Sequence, residues 1–218
     1  MARHDTLANP ERLHQRVCML GAPHVAGLER LRVNLARHGP VPHFDPCDGG
    51  DRARVLLLLE TPGPGMAPIR FVSRDNPTGT AANLRRFCTA AGLEREDTVI
   101  WNTVPWIVHA PGARNRPVRR AEIAAGLQAL PALLGGLPGL AVVVLAGRVA
   151  RDASEVVRTE RPGVAVLSMP HPSPTYVNTS PSIAPALCDV LRTAAGLLDP
   201  ASRLAVRERG CGRAGHTR

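Results

Sequence analysis

Residues 54–65 read RVLLLLETPGPG, and this stretch decides the fold. Its apolar run, Val55–Leu59, is bounded on one side by charge and on the other by turn residues. Such a run is typical of a strand that is buried on both faces of a parallel sheet. Glu60 and Thr61 follow it directly, so we expect them at the carboxyl end of that strand.

Three further apolar runs follow, and segments with helical apolar spacing separate them. The runs predict strands at Thr98–Trp101, Leu140–Leu145 and Val164–Leu167. The spacing predicts helices at Thr80–Ala91, Val118–Leu134, Arg148–Thr159 and Ser182–Leu198. Strands that alternate with helices favour a parallel sheet covered on both faces. The expected fold class is therefore α/β, a three-layer α/β/α sandwich with a central, mainly parallel four-stranded sheet.

The two ends of the chain differ from this alternating region. The first 50 residues are expected to form a mainly helical part: one helix starts at Asn9-Pro10-Glu11, another spans Val25–Ala36, and a proline- and glycine-rich connection follows through Gly50. Residues 201–218 are rich in arginine and glycine and have little to bury, which predicts a basic tail without fixed structure. We therefore expect a single domain over residues 1–200.

The charged residues exclude several kinds of chemistry. The 218 residues include 27 basic and 18 acidic ones, a formal net charge of +9, and the sequence contains no lysine. P-loop nucleotide binding, protein kinase activity and Schiff-base catalysis by a side chain all require lysine. The surplus of positive charge favours a polyanionic partner, but only weakly.

The cysteines and the apolar segments indicate the compartment. Five cysteines are scattered along the chain without a C-x-x-C pair, which favours reduced cytoplasmic thiols over a metal site: Cys18, Cys47, Cys88, Cys188 and Cys211. No run approaches the ~20 apolar residues of a membrane span. The first residues also lack the apolar run of a secretory signal. We expect a cytoplasmic protein with no membrane partner.

Polar or turn-forming segments follow each of the four predicted strands. Ligands of an open parallel sheet bind beyond the carboxyl ends of its strands. The segments that occupy those positions are Glu60-Thr61-Pro62-Gly63-Pro64-Gly65, Asn102-Thr103-Val104-Pro105-Trp106, Gly147-Arg148 and Pro170-His171-Pro172-Ser173-Pro174. Any one of them could be ordinary loop chemistry, but the four together predict one composite site.

These segments resemble the motifs of the uracil-DNA glycosylase superfamily, in the family's order, over about residues 40–198. The elements that match are Leu59-Glu60-Thr61-Pro62-Gly63, Arg70-Phe71-Val72-Ser73, Asn102-Thr103-Val104 and His171-Pro172-Ser173-Pro174. The resemblance implies cleavage of the N-glycosidic bond of a base that is flipped out of DNA. Its implied partner is DNA that contains uracil or another deaminated base.

The resemblance also implies roles for three side chains. Phe71 would stack on the base, and the amide of Asn102 would pair with O4 and N3–H of uracil. His171 would stabilise the negative charge that grows on O2 as the base leaves. Each residue also has a structural alternative: a core phenylalanine, a turn-forming asparagine and a structural histidine.

Thr61 departs from the best-known branch of the superfamily, which has an aspartate there. Threonine is a poor base at neutral pH, so that aspartate's role does not transfer. Other branches have a small neutral residue at this position and a glutamate before it, as in Glu60-Thr61. We hypothesise that Glu60 orients the attacking water or offsets charge on the sugar. Asp75 is a weaker candidate, and bracing of the loop is an equal alternative for Glu60.

Several residues are expected to contact DNA phosphates: Pro62, Gly63, Gly65, Ser173, Arg148, Arg114 and Arg116. The last two belong to an arginine-rich loop with Arg119 and Arg120, although such charge runs are often only solvated. The wedge that opens the helix in this superfamily corresponds to Thr175 and Tyr176. We expect no metal or cofactor, because the four ligand cysteines of the iron–sulfur branches have no counterpart here.

The missing lysine selects a mechanism within the superfamily. Glycosylases that also nick the strand form a Schiff base, normally with lysine, so a monofunctional enzyme that leaves an abasic site is expected. One alternative is a catalytically weak or inactive DNA-binding member of the fold, which Thr61 suggests. Another is a different α/β hydrolase, which would need more carboxylates or a metal cluster. We expect a bacterial-type, nucleoid-associated monomer.

Overall fold

The computed structural model describes residues 6–65, 67–110, 112–113 and 116–198. Its strands are β1 (His43–Phe44), β2 (Val55–Leu59), β3 (Phe71–Val72), β4 (Thr98–Asn102), β5 (Val142–Ala146) and β6 (Ala165–Met169). Its α-helices are α1 (Pro10–Cys18), α2 (Pro23–Leu35), α3 (Gly79–Ala90), α4 (Arg120–Gly135), α5 (Arg148–Arg151), α6 (Ser154–Glu160), α7 (Pro174–Val177) and α8 (Ile183–Gly196). The basic tail 201–218 and Arg114 lie outside the described residues.

The central sheet has four strands in the order β4-β2-β5-β6, and all its neighbours are parallel. The chain moves from β2 to β4 in one direction and then crosses back over β2 to β5. Because such crossovers are right-handed, α3 and α4 lie on opposite faces of the sheet. This confirms the α/β sandwich with four strands, and the sheet is parallel throughout.

The reversal of strand order takes place at β2, which has β4 on one side and β5 on the other. Ligands of open α/β sheets bind at such a switch point, beyond the carboxyl ends of the strands. The register pairs the last residue of β2, Leu59, with the last residue of β4, Asn102. The segment Glu60–Gly65 therefore begins at the point where the topology favours a ligand site.

The predicted helix Arg148–Thr159 is wrong as a single element, because the chain forms α5 and α6 instead. The backbone N–H groups of Asp152 and Ala153 donate to carbonyls three residues back, Val149 and Ala150, at 3.2 and 3.1 Å. Bonds of this spacing tighten the turn and interrupt the α-helix. Buried apolar residues on both sides, such as Val149 and Val157, keep the two helices against the sheet.

A second, two-stranded sheet pairs β1 with β3 in parallel and sets His43 opposite Phe71. A buried ion network lies beside it and joins α1 to the segment that follows β3. In this network Arg16 binds Asp45, and it binds Asp75 at 2.8 Å. Arg95 adds contacts to the same two carboxylates at 2.6 and 2.8 Å. None of the described helices is long and apolar enough to cross a membrane.

Candidate active site

A cavity of about 700 Å³ lies at the carboxyl ends of β2, β4 and β6. Among the predicted site residues, those that line it are Phe71, Asn102, His171, Ser173, Pro62, Gly63 and Gly65, together with Thr61. Glu60, Arg148 and Arg116 are not part of its lining. Segments that are far apart in the sequence therefore meet in one concave site, which is the usual form of a small-molecule pocket.

Asn102 is 5% exposed and ends β4 on the floor of the cavity. Its backbone is fixed from the next residue onward, since both the N–H and the hydroxyl of Thr103 donate to the Leu59 carbonyl, at 2.8 and 2.9 Å. The side-chain amide of Asn102 has no hydrogen bond to another described residue. The donor and acceptor groups of this amide are therefore free to bind a ligand in the cavity.

His171 is half-buried, and a hydrogen bond fixes its protonation pattern. The backbone N–H of Ser173 donates to Nδ1 of His171 at 3.2 Å. A nitrogen that accepts cannot carry the proton of a neutral ring, so this proton is on Nε2. Burial lowers the pKa of the ring below its usual value, which favours the neutral form. The site therefore offers a neutral imidazole that donates from Nε2.

Neighbouring elements hold the His171 loop in place. The amide of Asn83 on α3 donates to the Pro172 carbonyl at 2.8 Å. Gly147 packs against the imidazole: a Cβ at this position would lie 3.1 Å from Cβ and 3.2 Å from Cδ2 of His171. Gly147 also has φ +91°, a conformation that side chains rarely adopt. Asn83 and Gly147 position the His171 ring; the sequence placed Gly147 after the third strand but did not predict this role for either residue.

Phe71 is 4% exposed. Its ring packs against the ring of His43, and the carboxylate of Glu29 holds His43 in place. The ring centroid of Phe71 lies 5.5 Å from that of His43. Nδ1 of His43 donates to Glu29 at 2.8 Å. Burial opposes ionisation of Glu29, but hydrogen bonds from His43 and Arg32 hold its pKa below the usual range. The carboxylate thereby fixes the His43 ring, which supports one side of Phe71.

The family model described as the uracil DNA glycosylase superfamily matches residues 47–192, more than half of the chain. The chain belongs to the uracil-DNA glycosylase superfamily. The matched span contains all four strands of the central sheet. It also contains the segments at the ends of these strands that line the cavity. A comparison with curated proteins found no match. Membership supports a glycosylase-like hydrolase that binds DNA.

Glu60 stands apart from the cavity of this superfamily member. Leu59 and Thr61 line the cavity, whereas Glu60 between them does not. Burial raises the pKa of Glu60, and the nearby positive charge of Arg148 opposes that rise. Thr61 itself donates to the Trp106 carbonyl across a long 3.5 Å. The role of Glu60 in orienting water stays a prediction.

Asp75 belongs to the buried ion network and does not line the cavity. Burial opposes its ionisation, but hydrogen bonds and charge from Arg16 and Arg95 lower its pKa. Both arginines bind the same oxygen, Oδ2 of Asp75, at 2.8 Å. These contacts favour a structural role for Asp75 within the superfamily fold.

The predicted DNA contacts differ in how free their side chains are. Arg116 is paired in a bidentate manner with Glu122, at 3.0 and 2.5 Å, and Glu122 also accepts the backbone N–H of Arg119 at 2.7 Å. This arrangement caps the start of α4. Arg148 is exposed at the start of α5. The proposed wedge residue Tyr176 is 48% exposed on α7.

One cationic residue of the cavity was missed as a site residue. Arg70 lines it directly before Phe71. The sequence signal was its place in the superfamily motif Arg70-Phe71-Val72-Ser73, but adjacency alone does not show that the side chain reaches the cavity. Across the described ranges, no group of three or more His, Cys, Asp or Glu side chains has the arrangement of a metal site.

Proposed function

We propose that the protein is a monofunctional DNA glycosylase that hydrolyses the N-glycosidic bond of uracil, or of another deaminated base, and leaves an abasic site. The observation that carries the proposal is the convergence of three groups in one cavity. These are the unpaired amide of Asn102, the Phe71 ring and the imidazole of His171.

Asn102 supplies the base selectivity in this proposal. Its amide N–H donates to O4 of uracil, and its carbonyl accepts from N3–H. Cytosine presents an amino donor and an unprotonated N3 at the same two positions, so both contacts are lost. A site that is built to hydrogen-bond one edge discriminates strongly against an edge that leaves its buried groups unpaired.

His171 stabilises the leaving base. As the C1′–N1 bond breaks, its electron pair passes to the base and negative charge appears on O2. The Nε2–H group of a neutral His171 donates to that oxygen. In a site that excludes water, removal of one such donor costs about 100- to 1,000-fold in rate.

Water completes the reaction at C1′ of the sugar. Its oxygen forms the new bond to C1′ and its proton passes to Glu60 or to solvent. The raised pKa makes Glu60 a stronger base than an ordinary carboxylate. The chain contains no lysine, so no side-chain amine is present to form a Schiff base and cut the strand.

An excision assay tests the proposal. The protein is incubated with single- and double-stranded oligonucleotides that contain one uracil, and abasic sites are then cleaved with hot alkali. Product from uracil DNA and none from the matching thymine DNA supports the proposal. Cleavage before alkali treatment contradicts the monofunctional mechanism.

A second candidate is a DNA-binding member of the superfamily with weak or no catalysis. The observation that favours it is Thr61, which occupies a cavity position without a group that can activate water. Binding of uracil DNA with no product from uracil, hypoxanthine or xanthine would favour this candidate.

A further inference from the structure

Arg70 places an uncompensated positive charge at the mouth of the cavity. It is half-buried and lines the cavity. Its Nη2 donates to the Gly63 carbonyl. A Cβ added to Gly65 would lie 3.3 Å from its Nε, so the guanidinium packs along the turn Pro62–Gly65. Among the described residues, no carboxylate forms an ion pair with Arg70.

Several other partly or fully buried arginines of the described chain have a carboxylate partner, whereas Arg161, like Arg70, donates to backbone carbonyls. Arg16 and Arg95 bind buried aspartates, and Arg116 binds Glu122 in a bidentate manner. A guanidinium has five N–H donors, and in Arg70 one of them donates to the Gly63 backbone carbonyl. Burial of a charge is costly unless it is paired. The remaining N–H donors of Arg70 are therefore available to bind an anion, because no carboxylate of the described residues occupies them.

No acidic neighbour among the described residues compensates the charge of Arg70. Burial lowers the pKa of the guanidinium, and no acidic neighbour offsets this. His109, which is 6% exposed, has its pKa lowered by burial, then by the charge of Arg116 and also by that of Arg70, while Glu122 acts in the opposite direction. The charge of Arg70 thus acts on the buried His109, and no described acidic neighbour cancels it.

The position of Arg70 indicates which anion it takes. Its neighbours on the mouth, Gly63, Ala67 and Ile69, are exposed, whereas Asn102 on the floor is buried. A flipped nucleotide places its base on the floor and its sugar-phosphate backbone at the mouth. A planar guanidinium fork matches the oxygens of a phosphate.

We propose that Arg70 forms a phosphate-binding subsite at the mouth of the cavity, where it holds a phosphodiester of the DNA strand that carries the flipped nucleotide. The bond from Arg70 to the Gly63 carbonyl couples this subsite to the Pro62–Gly65 turn. The subsite rests on the proposed function for the identity of its ligand. Its charge and geometry are independent of whether the bound base is hydrolysed.

Salt-dependent binding tests this subsite. The probe is a duplex with a tetrahydrofuran abasic analogue, which cannot be hydrolysed, and affinity is measured over a range of salt concentrations. Loss of one phosphate contact reduces the slope of log affinity against log salt by about 0.9. We expect this reduction in Arg70→Gln, with an affinity loss of about 10- to 100-fold at low salt. Arg70→Lys retains the charge and should recover most of the slope.

The matched control is Arg192→Gln, which removes the same charge from α8, where Arg192 is exposed and paired with Asp189 at 3.1 Å. An equal change of slope in the control would mean a general charge effect and would overturn the proposal. So would an unchanged slope in Arg70→Gln. A fall in the single-turnover excision rate at saturating enzyme, with the slope unchanged, would assign Arg70 to the leaving base instead.

The two proposals can fail separately. If the wild-type protein excises no base but Arg70→Gln still shows the reduced slope, the phosphate subsite holds and the glycosylase proposal fails. If uracil is excised and the slope is the same in both proteins, the glycosylase proposal holds and the subsite fails.

Discussion

The backbone N–H of Ser173 donates to Nδ1 of His171 at 3.2 Å, and this bond places the proton of the neutral ring on Nε2. The two residues belong to one proline-bracketed loop, Pro170–Pro174, so the donor and the ring it orients are held on the same rigid segment. The proposed mechanism depends on this relationship, because a ring with the other tautomer would offer the base an acceptor.

The first prediction concerns pH. Burial lowers the pKa of His171 from 6.5, so protonation in the folded protein requires a pH below 6.5. Protonation would set an Nδ1–H against the Ser173 N–H. We expect kcat/KM to be constant near neutral pH and to fall in acid with a midpoint below pH 6.5. Nitrogen NMR of the ring should show the Nε2–H tautomer throughout the constant range.

If the Glu60 carboxylate takes part in the reaction, the plot of activity against pH should show a second fall on its acidic side. Its pKa is raised above 4.5, mainly by burial, so activity that needs the ionised form is lost as the pH falls through the raised value. In Glu60→Gln this second fall should disappear, together with part of the rate at neutral pH. A Glu60→Gln protein with the full rate and an unchanged pH profile would exclude the carboxylate from the reaction.

The second prediction concerns Gly147, which packs against the His171 ring. Gly147→Ala adds a Cβ 3.1 Å from Cβ of His171, at a backbone φ of +91° that disfavours alanine. We expect a loss of excision rate of about 10-fold or more with DNA affinity nearly unchanged. Gly163→Ala is the control, because nothing lies within 4 Å of its added Cβ. Equal rates in the two variants would show that Gly147 does not position the ring.

The third prediction concerns the ion network. Arg16→Gln removes a partner from Asp45 and Asp75, whose side chains are 0% and 8% exposed. Loss of one partner from a buried pair costs about 3–5 kcal/mol, which urea unfolding can measure. Arg192→Gln, which breaks an exposed pair, should cost about 1 kcal/mol or less.

The pH dependence of that variant follows from the lowered pKa of Asp75. A carboxylate with a lowered pKa stabilises the folded state above its unfolded pKa, and this contribution is lost as the pH falls through the folded value. The difference in unfolding free energy between wild type and Arg16→Gln should therefore shrink in acid. A difference that is independent of pH would argue against the ionic contribution.

The sequence predicted the sheet well because three of its four strands, β2, β4 and β5, are buried on both faces. Val55–Leu59 and Val142–Ala146 are continuous apolar runs with every residue buried. The strands β1 and β3 have only two residues each, too few to form an apolar run, and they were not predicted. The break between α5 and α6 was missed as well, since it depends on local hydrogen bonds at Asp152 and Ala153 that apolar spacing does not encode.

For the site as well, some features could be predicted from the sequence and others depend on tertiary contacts. Asn102 and His171 were predicted to lie together because they follow strands, and all strands of a parallel sheet end at one edge; both line the cavity. The charge state of a side chain depends on partners that are distant in sequence, so the sequence could not show that Arg116 is paired with Glu122 and that Arg70 has no acidic partner. The ring support from Asn83 and Gly147 is likewise a tertiary contact.

The base recognition that we propose for Asn102 gives a fourth prediction. Asn102→Asp replaces the amide donor with a second acceptor, which matches the amino group of cytosine and repels O4 of uracil. We expect uracil excision to fall and weak cytosine excision to appear. Retention of uracil preference in this variant would remove Asn102 from base recognition.

The most direct test of the account is the single-turnover rate of uracil excision by wild type and Asn102→Ala at saturating enzyme, with the melting temperature and DNA affinity measured in parallel. The account predicts excision by the wild-type protein and a loss of about 100-fold or more in the variant, at an unchanged melting temperature. Equal rates in the two proteins, or no excision by wild type from any uracil substrate, would contradict it.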